Sequence, residues 1–545
     1  MIGGTDGGIG GGEGELLLAP SFRILMANNL IIKIENATST IIGRVPDEVL
    51  DAIDERLSYK RKGVEYSPKV VEGEWDGRNH CFSKWYKTFP TGLCSLVAEV
   101  LSQHHIPWEY EDLRKRPHRN MDWKVILPHP ISLFDFQRET ADICEDVGRG
   151  ICSLPTGSGK TMTFSVIIGE LRVTPVIVYV PSLLLLDQTK AALERVIRNP
   201  GGSPVEVGVI GNGICDIRDI NVMTVQTAIT VYDKKYDRNK GCVRNLTRDE
   251  KVKRNKNKRR NLEDPDADED LDFVRPNRPA IKKLIEGAQL VVADEAHRVS
   301  SAMYQEVLNN SKSAYYRFAF SATAYREDGT EILIQASFGR KLMDITCSEL
   351  IRKGILVRPY IFSINVPPEP GTFESYQQAK KKCIVESHQR NLLIASLAEG
   401  LKTEGPMLLL VTEKRHGRVL EKLISDSKFI HAGDSKSVKE QAISDMLSGK
   451  LPALIATPIA DEGLDLVQLK TLFLCDAGRS VTRLYQRIGR SLRICPNKEY
   501  SIVIDFRDTN DNLSDHVVDR KRVLMNEEEF VLIEVSAGRW KQMED

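Results

Sequence analysis

Two stretches of this chain carry the side chains needed to handle a nucleoside triphosphate. The first is Leu154-Pro155-Thr156-Gly157-Ser158-Gly159-Lys160-Thr161, which follows an apolar run over 150–153 and precedes a helix-patterned run over 162–171. Glycine at 157 and 159 lets backbone N–H groups curl round a β-phosphate. Lys160 supplies a point charge to the β- and γ-phosphates, and Thr161 offers a hydroxyl to magnesium. Leu154 stands where the commonest form of this loop has its first glycine. A glycine-rich turn with an incidental lysine is the alternative, and the strand-loop-helix context weighs against it. The second stretch, Leu290-Val291-Val292-Ala293-Asp294-Glu295-Ala296-His297, ends a buried-strand pattern on two carboxylates. Asp294 there would hold the magnesium through water, Glu295 would orient and deprotonate the attacking water, and His297 would link the nucleotide to the rest of the chain. Alone, those polar residues read equally well as a helix N-cap; beside a phosphate loop they read as the other half of one site.

These residues need rigid elements to hold them. At 545 residues the chain is long enough for several cores, and 41% hydrophobic with 28% charged residues is an ordinary globular balance. Lys and Arg total 76 and Asp and Glu total 76, so no global field draws the chain to nucleic acid or anionic lipid, and such a partner must be met by local patches. The 10 cysteines form no CxxC pair, which argues against zinc or redox chemistry and for reduced thiols in a cytoplasm, bacterial or phage-infected. No apolar run approaches the roughly 18 residues that span a bilayer, so a membrane protein is not expected.

Residues 1–26 are glycine-rich and read as a flexible tail. Residues 27–120 mix a strand over 30–34 with a helix over 46–57 and predict a small α+β accessory domain. From 128 onward short apolar runs alternate with helical patterns, the signature of parallel α/β sheets. The boundaries read as one lobe over 128–350, a second over 354–510 and a tail over 511–545. A basic run followed by an acidic one makes 233–279 a charged insertion in the first lobe, whose basic half reads as a phosphate contact, a solvated charged loop or, third, a nuclear-localisation signal. Glu527 to Ile533 in the tail fits a terminal strand or a partner-binding segment equally.

Taken together, PTGSGKT at 155–161 and DEAH at 294–297 resemble the superfamily 2 helicases, and further motifs follow in that family's order over 130–510. The resemblance implies two RecA-like parallel-sheet lobes in tandem, with ATP and magnesium bound between them. Phe136 and Gln137 sit where the family reads adenine. Pro181 and Ser182 resemble motif Ia, and Thr224, Gln226 and Thr227 resemble motif Ib, both implied contacts to a nucleic-acid backbone. Ser321 and Thr323 resemble motif III, which couples hydrolysis to lobe movement. His431 and Gly433 resemble motif IVa, and Thr457, Gly463 and Asp465 motif V. Gln486, Arg490 and Arg493 stand in QRIGRSLR, a motif VI: the two arginines, three apart, would share one helix face and reach the γ-phosphate as arginine fingers. A basic solvated helix face is the alternative.

Tyr66-Ser67-Pro68-Lys69, Gly73 to Arg78 and Phe89 to Leu93 resemble the N-terminal domain of phage UvsW-type helicases. The form of motif VI resembles DNA translocases of the UvsW, XPB and RecG kind. These resemblances imply an ATP-dependent DNA helicase or translocase that remodels branched duplex DNA in recombination, replication or repair, alongside recombination or single-strand-binding proteins. An RNA helicase and the motor of a restriction or defence complex are the alternatives. Trp75 is expected in a small core. Lys60-Arg61-Lys62, Trp85-Tyr86-Lys87 and Arg114-Lys115-Arg116 with Arg119 offer a mixed basic and aromatic surface to DNA, or solvated charge.

Overall fold

The computed structural model describes residues 30–61, 63–232, 269–299, 301–322, 329–457, 466–476, 478 and 480–535. The glycine-rich 1–26 segment lies outside them, as does most of the charged insertion, whose last residues fall in the helix Glu269–Gly287.

Two parallel sheets carry the molecule, as the alternating apolar runs predict. The first has the strand order Ile214–Asp216, Val207–Gly211, Ile220–Thr224, Val176–Val180, Leu290–Asp294, Tyr316–Ser321, Arg149–Ser153, Lys341–Asp344, and only its edge strand Ile214–Asp216 is antiparallel. Val176–Val180, Ile220–Thr224, Leu290–Asp294 and Tyr316–Ser321 are buried at every residue. That is why their sequences read as unbroken apolar runs rather than alternating ones: helices cover both faces. The second sheet, wholly parallel, runs Ser427–Ile430, Ala453–Ala456, Met407–Leu410, Thr471–Leu474, Tyr500–Arg507, Arg358–Asn365, Val531–Val535. It therefore reaches past residue 510. The helix Asp511–Leu524 packs on the second lobe, and the segment 531–535 is a terminal strand.

The N-terminal unit is α+β. Leu30–Ile34 pairs antiparallel with Thr38–Ile42 and parallel with Trp108–Asp112, and the helices Asp47–Arg56 and Cys94–Gln103 pack together beneath. Trp75 is half-buried and donates its indole N–H to the Arg78 carbonyl at 2.8 Å. The unit docks on the first lobe through Gly92, where a β-carbon would lie 1.9 Å from the Gln335 carbonyl oxygen on the helix Glu331–Phe338. The arginines of the following linker reinforce that seat. Arg114 pairs with Asp112 and lies over the Tyr315 ring, Arg116 donates to the Tyr316 hydroxyl, and Arg119 pairs with Glu145. These cations hold the linker to the first lobe, whose rings and Glu145 carboxylate lie within their reach, while Arg116 and Arg119 keep 52% and 55% of their side chains exposed.

At the other end the chain clasps the connection between the lobes. The buried Glu527 carboxylate accepts from the Ser348 N–H at 2.8 Å, the Ser348 hydroxyl at 2.6 Å and the Cys347 N–H at 3.3 Å, capping the helix Cys347–Arg352. Glu528 pairs with Arg352 at 2.7 Å, and Glu529 with Arg358.

The Gly92 contact yields the first prediction. Gly92→Ala is expected to cost about 1–3 kcal/mol through overpacking against backbone that cannot yield. Chemical denaturation and protease sensitivity of residues 30–120 would report it. Gly201→Ala, whose β-carbon meets no described residue within 4 Å, should stay within about 0.5 kcal/mol of the parent.

Candidate nucleotide site between the two lobes

The phosphate loop leaves the carboxyl end of Arg149–Ser153, where the first sheet's strand order reverses and where open α/β sheets place ligands. Gly157 and Gly159 take φ of +90° and +82°, the left-handed region that only glycine enters without strain. Their turn aims the N-terminus of the helix Lys160–Leu171 into the loop. Lys160 Nζ lies 3.4 Å from the Leu154 carbonyl oxygen and 3.8 Å from Glu295 Oε1. Thr156 Oγ1 and Ser158 Oγ are buried without a hydrogen-bond partner among the described residues. Buried hydroxyls are ordinarily satisfied, so these two, the exposed turn of N–H groups and Lys160 make a cradle that suits phosphate oxygens. The Asp294 carboxylate and Thr161 hydroxyl are the hard oxygen ligands magnesium prefers.

Asp294 closes its strand, and Glu295 follows with φ +51°, ψ +52°, a left-handed conformation costly for a residue with a β-carbon. The Glu295 N–H donates to Asp294 Oδ1 at 2.9 Å and locks the turn. Burial, followed by the neighbouring Glu295 charge, pushes the Asp294 carboxyl up to about 7, against the pull of Lys160. Burial also works against ionising Glu295, but Lys160, His297 and Gln486 outweigh it and hold that carboxylate below its ordinary range. Lys160 thus favours the charged form of Glu295. His297 Nδ1 lies 3.4 Å from Glu295 Oε2.

The second lobe completes this constellation. Gln486 Nε2, on the helix Val481–Ser491, donates across the cleft to Glu295 Oε2 at 3.0 Å. One turn on, Gly489 lies flat against the phosphate loop: a β-carbon there would be 2.6 Å from Thr156 Cβ. Arg490 follows, 8% exposed. Arg493 also reaches the loop, its Cγ 3.2 Å from the position a β-carbon on Gly157 would take. It does so by a different route from the expected one. The helix ends at Ser491, and Arg493 sits in an antiparallel bridge with Leu356. The shared helix face expected of Arg490 and Arg493 is therefore corrected, because the backbone leaves the helix between them.

The remaining motif residues divide by burial. Phe136 is 1% exposed and belongs to the first lobe's core. Phe134, 45% exposed and stacked on Phe136 at 5.9 Å, is the ring presented outward. Sequence spacing missed this; the signal was that Phe134 is the N-cap, outside the helical φ/ψ, while Phe136 is inside. Gln137 spends its carboxamide on the chain, donating to the Ser158 carbonyl at 2.8 Å and accepting from the Phe134 N–H at 3.0 Å. Pro155 forms the loop's first turn, its carbonyl accepting from the Ser158 N–H at 3.2 Å.

Pro181 and Ser182 follow Val176–Val180, and Ser182 Oγ is buried without a partner among the described residues. The Thr224 and Thr227 hydroxyls bond each other at 2.7 Å in the core, so of motif Ib only Gln226 is exposed. The backbone contact expected of both threonines is not open in this arrangement. His431 Nδ1 accepts from the exposed Gly433 N–H at 3.0 Å, and the Thr457 N–H donates to the Ile430 carbonyl at 3.3 Å. These residues lie at the carboxyl ends of their strands, so each sheet presents its motifs on one edge. Ser321 ends the strand between the phosphate loop and Asp294, its carbonyl accepting from the Leu154 N–H at 2.9 Å. Thr323, Gly463 and Asp465 lie outside the described residues.

Comparison with known proteins matches residues 130–326 to the family described as type III restriction enzyme, res subunit, and residues 389–495 to the helicase conserved C-terminal domain. A protein of Sulfolobus islandicus filamentous virus named helicase 22 is 29% identical over 46% of this chain and 48% of its own length. The Saccharomyces cerevisiae protein named ATP-dependent helicase IRC3 is 23% identical over 69% of this chain and 51% of its own length. The chain thus spans about half the length of these relatives. The crystal structure of T4 UvsW aligns over 94% of this chain and all of that one, at 15% identity and a TM-score of 0.41.

Three substitutions test the site. Lys160→Ala should lower ATP turnover by at least ~10²-fold. Glu295→Gln should retain ATP binding while losing ~10²–10⁴ in kcat as the proton acceptor is removed. Gly489→Ala should hold the lobes apart and lower kcat although it touches no reacting group. Steady-state ATPase with a parallel nucleotide-binding titration separates the three outcomes.

Proposed function

We propose that this chain, whose two lobes are the motor halves of an ATP-hydrolysing superfamily 2 helicase, is a translocase on duplex DNA that remodels forked or branched substrates. One observation carries the motor reading: the Gln486–Glu295 hydrogen bond, 3.0 Å across the cleft, joins the residue that would accept water's proton to the lobe that must move. Lys160, Thr156, Ser158 and the loop N–H groups bind and orient the triphosphate. Glu295, ionised between Lys160 and His297, takes the proton of the attacking water. Arg490 and Arg493 supply positive charge from the second lobe as charge builds on the transferred phosphoryl group. Magnesium, held by Asp294 and Thr161, would neutralise phosphate charge. Hydrolysis then removes the reason for Arg490, Arg493 and Gln486 to stay against the loop, and the cleft reopens. Nucleic acid lying along the carboxyl edges of both sheets, past Pro181, Ser182, Gln226, His431, Gly433 and Thr457, is advanced by each cycle.

DNA is favoured over RNA by the form of motif VI, by the N-terminal segments that resemble the UvsW type, and by the restriction-enzyme description of the family matched over 130–326. Trp85 and Tyr86, 87% and 71% exposed at a turn of the N-terminal unit, offer rings on which bases at a junction can stack. The same family description supports a second reading, a motor whose output is a partner's nuclease.

Magnesium-dependent ATP hydrolysis, measured with no nucleic acid, single-stranded DNA, linear duplex, forked duplex and RNA, tests the assignment against Glu295→Gln. The expected order puts forked or linear duplex first, with roughly tenfold or greater stimulation. Stimulation by RNA alone overturns the DNA reading, and none by any of them favours the partner-dependent motor.

A further inference from the structure

The helix that brings Gln486 and Arg490 to the cleft is capped by Ser480, and Cys475, Asp476 and Gly478 lie between it and the end of the strand Thr471–Leu474. These three residues are held from three sides by charged groups buried in the second lobe. Arg390 donates to the Cys475 carbonyl at 3.0 Å and pairs with Asp508. The Asp476 carboxylate receives Lys380 Nζ at 2.9 Å and the Thr412 hydroxyl. Arg520 spreads its guanidinium over four partners: Nη1 donates to the Gly478 carbonyl at 3.1 Å and to the His516 carbonyl at 3.4 Å, Nε to Asp505 Oδ2 at 3.0 Å, and Nη2 to the Phe506 carbonyl at 3.1 Å. Arg390, Asp476, Asp505 and Arg520 are 1%, 3%, 4% and 6% exposed.

Such a cluster is an unusual way to fill a core. Desolvating ion pairs offsets most of their mutual attraction, and apolar packing of the same volume is generally no less stable. What charged forks supply is direction. The cavity between these groups measures about 10 Å³, room for a single water at most. Lys380, Asp505, Asp508 and Arg520 also lie outside both matched family regions. Arg520 comes from the helix Asp511–Leu524 and reaches back to the loop that launches the cleft-facing helix.

We propose that Arg520 and Asp476 are positioning residues for ATP hydrolysis, fixing Cys475, Asp476 and Gly478 so that the helix Val481–Ser491 delivers Gln486 and Arg490 to the phosphate loop. Neither touches the nucleotide site; both act through the pitch of that helix. A lysine at 520 keeps the charge but cannot span the Gly478 carbonyl, Asp505 and the Phe506 carbonyl together.

The inference rests on the finger role of Arg490, and a double-mutant cycle separates the two. kcat, KM and the thermal midpoint are measured for the full chain, Arg520→Lys, Arg490→Ala and the double variant. Arg520→Lys should lower kcat about tenfold with KM within about twofold, and should cost less than about twofold when Arg490 is already alanine, since residues acting through one another are not additive. Equal losses in both backgrounds, or a lowered midpoint with unchanged kcat, overturn the positioning role and leave the finger intact. A parental rate for Arg490→Ala alone overturns the finger assignment and this inference with it. If Arg520→Lys does not fold, Asp476→Asn, isosteric and able to accept from Lys380 and Thr412, carries the same cycle with the same criteria.

Discussion

The Glu295 carboxylate of the first lobe accepts a hydrogen bond from the second lobe. Glu295 is buried, which raises the cost of its charge, and it stays ionised because Lys160 of its own lobe and Gln486 of the other both attend it. Separation of the lobes removes one donor and readmits water, so the chemistry of that oxygen pair depends on the mechanical state of the cleft. The left-handed backbone at Glu295 belongs to the same constraint. It persists because the Asp294 side chain grips the Glu295 N–H, and it directs two successive carboxylates to different tasks.

The sheets exist to hold that arrangement still. Three adjacent strands of the first sheet, Leu290–Asp294, Tyr316–Ser321 and Arg149–Ser153, set the acidic pair, Ser321 and the phosphate loop side by side. Their residues are buried throughout, and burial at roughly 25 cal/mol per Å2 of apolar surface makes any slip of register expensive. In the second lobe the launching loop of the cleft-facing helix is fixed by directional polar bonds instead, because a loop has no ladder to fix it.

Much of this was legible in the residues. The parallel sheets followed from unbroken apolar runs, and side-chain chemistry at fixed spacing led to the expectation that the loop 154–161 and the pair Asp294 and Glu295 stand together, which the structure places with Lys160 3.8 Å from Glu295. What the sequence hid were consequences of distance along the chain. Arg114, Arg116 and Arg119 look like a basic surface until Tyr315, Tyr316 and Glu145 are brought beside them. Arg490 and Arg493 look helical together because spacing cannot see where a helix stops. Phe134 and Phe136 are indistinguishable by composition, and only the N-cap turns one outward. Gly489 and Gly92 have no local signature at all; each is required by backbone from a remote part of the chain.

The clasp of Glu527, Glu528 and Glu529 on residues 347–358 bears on the order of assembly. The strand Arg358–Asn365 opens the second lobe, yet its outer neighbour, Val531–Val535, is made more than a hundred and sixty residues later. During synthesis the first lobe can close its core while the edge of Arg358–Asn365 waits unpaired, and the interlobe connection acquires its acidic cap last. The nascent chain therefore completes the loop 154–161 and its helix before the connection between the lobes receives its acidic cap.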